Sequence, residues 1–128
     1  MTPDRPATPG RPATEPAPLL VHLIERATWD RDGRARPGPD GFVHLSRPRQ
    51  IEMVANAFYR EATDPILLCI DPERVSAKIR FEGADDPFPH LYGTLERDAV
   101  VEVIALARES DRWVIPTDAR ARLGLTEG

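Results

Sequence analysis

The chain has 128 residues, 41% of them hydrophobic, with 17 basic against 21 acidic side chains and a net charge of −4. That is enough apolar mass for one modest core and too little length for a second independent domain. No block of like charge occurs and no stretch approaches the roughly 18 apolar residues of a membrane span, so nucleic-acid wrapping, an anionic membrane surface and a membrane anchor are not expected.

The N-terminus has no signal-peptide core, and the lone Cys69 lies in the apolar run Ile66-Leu67-Leu68-Cys69-Ile70, where a thiol acts as a small hydrophobe. Both features suit a cytoplasmic protein. Residues 1–18 carry Pro3, Pro6, Pro9, Pro12, Pro16 and Pro18 with almost no large apolar side chain, and they read as a disordered leader. A single α+β domain is expected over residues 19–116, followed by a ragged helical tail over 117–128.

Leu19 to Ile24 is an apolar run broken only by His22, as in a central strand. Thr28 can cap a short helical turn through Trp29, and Arg31 to Asp40 reads as a long irregular loop suited to a lid. Gly41 to Leu45 is a second strand containing His44. Ser46 follows where a helix cap belongs, and Ile51, Val54, Ala55, Phe58 and Tyr59 mark the apolar stripe of a helix over 47–61. Ile66 to Ile70 is a buried strand, and Asp71-Pro72 opens a helical turn. Ala77 to Glu82 then alternates, with Ala77, Ile79 and Phe81 on one face. The string Phe88-Pro89-His90-Leu91-Tyr92-Gly93 combines aromatic mass with a rigid turn. Val100 to Leu106 and Trp113 to Ile115 complete the strands, joined by the turn-like Glu109-Ser110-Asp111. The order predicts an α+β fold of small antiparallel sheets with one main amphipathic helix, not a doubly wound parallel sheet.

All three histidines, His22, His44 and His90, fall in strand-like segments. No two have the close spacing of a metal motif and no cysteine pair helps, so no metal site is expected. A cysteine nucleophile is equally unsupported, because Cys69 has no electropositive neighbour in sequence. Taken singly, each histidine is as well explained by core packing with its nitrogens bonded to backbone. Two i, i+2 pairs change the balance: His44 with Ser46, and His90 with Tyr92, each share one face of an extended strand. A helix starting at Ser46 would add free N–H groups to an anion- or hydroxyl-binding pocket. His90 and Tyr92 could stack on a flat base or hold a sugar hydroxyl. Glu82 is the carboxylate placed to act as acid, base or cation-stabilising group, and Trp29 could wall the site. The plain alternatives are a capping Ser46, core aromatics at Phe88, Tyr92 and Trp29, and a solvated Glu82.

The ordered set of His22, Trp29, Gly41-Phe42-Val43-His44-Leu45-Ser46, Ala55-Asn56, Phe58, Ile70-Asp71-Pro72, Glu82 and Phe88-Pro89-His90-Leu91-Tyr92-Gly93 resembles the bacterial domain of unknown function 952, over about Leu19 to Leu106. That resemblance implies a fold similar to the ADP-ribosyltransferases and RNA 2′-phosphotransferases, whose small sheets are split around an NAD-binding cleft. It implies that His22 holds a ribose hydroxyl, that His44 to Ser46 matches the His-Leu-Ser-like string of the phosphotransferases, and that Tyr92 or Trp29 stacks on nicotinamide. The transferase glutamate on its usual turn and the paired arginines have no clear counterpart. The expectation is a His-lined pocket for an NAD-like nucleotide: His22, Trp29, Ser46 and Tyr92 bind it, and Glu82, His90 and His44 carry ADP-ribosyl or phosphoribosyl-type transfer or hydrolysis. The other readings are a non-catalytic metabolite- or nucleotide-binding module and a small-molecule tailoring enzyme on the same fold.

Overall fold

The computed structural model describes residues 19–125; the proline-rich leader and residues 126–128 of the tail lie outside the described residues. The fold is mixed α+β, with several small antiparallel sheets and few helices. In chain order its elements are β1 (Leu20–Glu25), α1 (Arg26–Asp32), β2 (Arg34–Ala35), β3 (Val43–His44), α2 (Ile51–Phe58), β4 (Pro65–Ile70), β5 (Lys78–Glu82), β6 (Phe88–Tyr92), β7 (Leu95–Glu96), β8 (Val100–Ala105), β9 (Ala107–Glu109), β10 (Arg112–Val114) and α3 (Thr117–Arg120). The sheets are β1-β4-β8, β3-β6-β5, the pair β2-β7 and the hairpin β9-β10, and every ladder is antiparallel. Among the described residues no helix is long and apolar enough to cross a membrane.

β4 explains the two-sided core. All six of its residues are buried, and alternation sends Leu67 and Cys69 to one face and Ile66, Leu68 and Ile70 to the other. Leu67 and Cys69 pack with Val21, Ile51, Ala55 and Trp113 under α2 and the β9-β10 hairpin. Ala119 and Leu123, from the C-terminal helical turns, join that cluster. The opposite face packs with Val43, Leu45 and Leu91 of the second sheet and with Trp29. Burial pushes the Cys69 thiol up to about 12, so it is an inert core group.

Several elements differ from the sequence expectation, each for a local reason. α1 begins at Arg26, directly after β1, so Thr28 lies inside the helix and caps nothing. Gly33, in the left-handed region at φ 69°, ends α1 by donating its N–H to the Trp29 carbonyl. The irregular segment is therefore confined to about Arg36 to Phe42. α2 is shorter than 47–61 because Pro48–Gln50 forms a 3₁₀ turn ahead of it, and Tyr59 leaves helical geometry at φ −122°. The Phe88 to Tyr92 string is the expected strand, and it takes the centre of its sheet with no turn inside it. β10 pairs across its turn with β9 rather than with the Val100 to Leu106 strand, because β8 is taken up by β4; Ser110 and Asp111 both take positive φ, 47° and 70°, as a two-residue hairpin turn requires.

Candidate functional site

Strand alternation in the second sheet separates core from chemistry. Pro89 and Leu91 of β6 are buried, whereas Phe88, His90 and Tyr92 occupy the other face. Register brings His44 of β3 directly opposite His90. Arg80 is opposite His90 on the other side and Glu82 is opposite Phe88, one diagonal step from His90.

Glu82 uses that diagonal. Its Oε1 accepts hydrogen bonds from His90 Nδ1 and from the Tyr92 hydroxyl, both at 2.7 Å. The Tyr92 and His90 donors hold the Glu82 carboxyl below its ordinary value of 4.5, and the same contact raises the Tyr92 phenol. Donation from Nδ1 to a carboxylate leaves Nε2 as the basic nitrogen of a neutral His90 ring. Phe42 fixes the plane of that ring: it stacks on His90 with centroids 3.9 Å apart and planes 15° apart. It also meets His44 at 4.6 Å and Tyr92 at 5.2 Å.

His22 enters from the other sheet. Val21 and Ser46 form an isolated antiparallel bridge through Val21 N–H to Ser46 carbonyl at 2.9 Å and Ser46 N–H to Val21 carbonyl at 2.8 Å. Next to it, where the ladder is not continued, the His22 imidazole supplies the donor instead: Nδ1 donates to the His44 carbonyl at 2.7 Å. Burial lowers the His22 pKa against the opposing pull of that hydrogen bond, which keeps the ring neutral with Nε2 unprotonated. His44 is more exposed, and its Nε2 lies 3.1 Å from Asp40 Oδ2.

These groups surround a cavity of about 420 Å³ lined by His22, His44, Ser46 and His90 together with apolar side chains of β1, α2 and β6. Among the described residues no Arg, Lys, Asp or Glu lines it. Its size falls within the range of small-molecule sites, which combine apolar walls with a few convergent polar groups. Among the described residues no group of three His, Cys, Asp or Glu is placed to hold a metal ion.

Three expected site residues stand elsewhere. Trp29 does not wall the cavity: it is 3% exposed in the core between the sheets, with the Arg97 guanidinium 4.8 Å above its ring. Glu82 and Tyr92 lie behind His90, so Glu82 meets a ligand only through that imidazole. Ser46 lines the cavity but caps no helix, because its N–H and carbonyl are engaged by Val21 and its backbone is part of the bridge. In the turn that follows, Pro48 has no N–H to offer and Arg47 N–H is taken by Gln50 Oε1 at 2.9 Å. Phe42, Asp40, Phe58 and Phe88 were not singled out as site residues from sequence. Phe42 stands two residues before His44, so strand spacing puts both side chains on one face, as their ring contact shows.

A family model described as a protein of unknown function, DUF952, matches residues 22–103. The crystal structure of protein CC0527 from Caulobacter crescentus is similar at a TM-score of 0.68, with 28% identity over 84% of this chain and 99% of that one. The solution structure of the same protein gives a TM-score of 0.65 and 26% identity over 84% and 98%. No curated protein matches. His22, Phe42, His44, Ser46, Phe58, Glu82, His90 and Tyr92 all fall in the matched span, and the chain belongs to the DUF952 family.

Proposed function

We propose that the histidine cavity receives the base and ribose of an NAD-like nucleotide and supports cleavage or transfer at its glycosidic bond, on an ADP-ribosylation-like scaffold. The observation that carries this reading is the convergence of His22, His44, Ser46 and His90 on one cavity, with His90 backed by the Glu82 carboxylate. Sugar hydroxyls both donate and accept, and the unprotonated His22 Nε2 and the Ser46 hydroxyl suit them. His90 is the general base. Its Nε2 takes a proton from water or an acceptor hydroxyl as that oxygen bonds to the anomeric carbon and the carbon–nitrogen bond breaks, the base leaving with the bonding electron pair. The Glu82 carboxylate stabilises the imidazolium that forms. Among the described residues no Arg or Lys lines the cavity, which suits the nucleoside part of the ligand better than its phosphates.

Calorimetry of the full chain with NAD and ADP-ribose, paired with chromatography for released nicotinamide, tests this. Binding with release that His90→Ala abolishes supports it; no heat from either ligand at millimolar concentration overturns it. A second reading, a non-catalytic nucleotide- or metabolite-binding module, is favoured by the position of Glu82 behind His90, which leaves no carboxylate facing the ligand. Binding without turnover, unchanged by Glu82→Gln, would select it.

A further inference from the structure

Among the described residues Phe58 is the most exposed large apolar side chain, at 78%. The stripe of α2 predicts it inside, three residues after the buried Ala55. It stays outside because the helix ends there and the next residue takes the inward space: Tyr59 donates its hydroxyl to the Leu23 carbonyl at 3.2 Å, and its own carbonyl accepts from Trp113 Nε1 at 2.8 Å. Phe58 is thus held at the cavity, whose lining it shares with Val54 and Phe88. Isolated exposed hydrophobes need no explanation, but this one borders a concave site with polar groups inside it.

We infer that Phe58 is a specificity-determining residue: a platform for a planar heteroaromatic ring whose polar edge faces the histidines. The inference rests on the reading of the cavity as a nucleoside-type site and assigns the ring-recognition role within it. An alkyl chain would satisfy Phe58, Val54 and Phe88 but would leave His22 Nε2, His90 Nε2 and the Ser46 hydroxyl without partners, at a desolvation cost. A sugar without a base would satisfy those groups and leave Phe58 bare. A flat ring with apolar faces and a hydrogen-bonding edge answers both requirements, and the lack of Arg, Lys, Asp and Glu among the described lining residues disfavours a strongly charged ring substituent.

The test titrates the full chain with adenosine, nicotinamide riboside and ribose, for wild type, Phe58→Ala and Phe58→Trp. At least one nucleoside is expected to bind wild type more tightly than ribose does. Phe58→Ala should weaken that nucleoside by roughly tenfold or more while ribose binding and thermal melting stay as in wild type. Phe58→Trp should restore affinity, with indole fluorescence quenched on binding. Nucleoside affinity unchanged in Phe58→Ala overturns the platform while the nucleoside reading survives. Failure of every nucleoside to bind wild type overturns both.

Discussion

Phe42 lies flat on His90, ring centroids 3.9 Å apart and planes inclined by 15°. Together with the Glu82 hydrogen bond at Nδ1, this leaves the imidazole little freedom to rotate. Phe42→Ala should therefore cost about 1 kcal/mol, the scale of a single aromatic pair. The ring resonances of His90 should move by loss of the Phe42 ring current. Urea denaturation and side-chain NMR check the two effects; an unmoved His90 signal would show that the stack does not persist in solution.

Glu82→Gln removes the acceptor charge shared by His90 and Tyr92. The Tyr92 phenol is raised by its hydrogen bond to Glu82, so in the variant it should titrate at lower pH, nearer its ordinary 10.0. Ultraviolet titration of tyrosinate, with Tyr92→Phe to assign the transition, measures this. The nitrogen spectrum of His90 should also lose its fixed preference for a proton on Nδ1.

His22 makes stability depend on pH. Its folded pKa lies below the ordinary 6.5, so below that value the unfolded chain takes a proton that the folded chain refuses. Stability contributed by neutral His22 is present above pH 6.5 and lost as pH falls through 6.5 toward the folded value. His22→Gln keeps a donor for the His44 carbonyl without titrating. Denaturation midpoints measured between about pH 8 and about pH 5 should fall more steeply for wild type than for this variant, and parallel curves would refute the assignment.

Gly93 closes the Phe88 to Gly93 string for a packing reason. A Cβ added there would lie 2.5 Å from Ala77 Cβ, and neither group has a flexible end that can move aside. Gly93→Ala should destabilise the fold by about 1–3 kcal/mol. Adding Ala77→Gly should recover part of that loss in thermal melting.

Much of the architecture is legible in local pattern. The unbroken apolar run of β4 predicts a buried strand, and Glu109-Ser110-Asp111 predicts the last turn, though not the strand that pairs across it. Strand period two places His90 beside Tyr92, and the quoted motifs carry the family. These signals are local, because side-chain alternation follows from the geometry of a single chain segment.

The remaining features depend on how segments meet. Period two states which side chains share a face, but only the β5–β6 register sets Glu82 diagonal to His90 and makes it a buttress behind the ring. The Val21–Ser46 bridge engages the N–H and carbonyl of Ser46 and holds that residue in an extended pairing, and the His22 donor appears only where that bridge stops. Trp29 and Phe58 exchange their expected places because α1 packs its indole between the two sheets, while α2 ends one residue before Tyr59 claims the interior. By itself the sequence determined the longer strands, the buried apolar run of β4 and the segments that carry the three histidines. Tertiary structure alone decided which nitrogen each histidine presents and what stands behind it, because hydrogen-bond direction depends on partners distant along the chain.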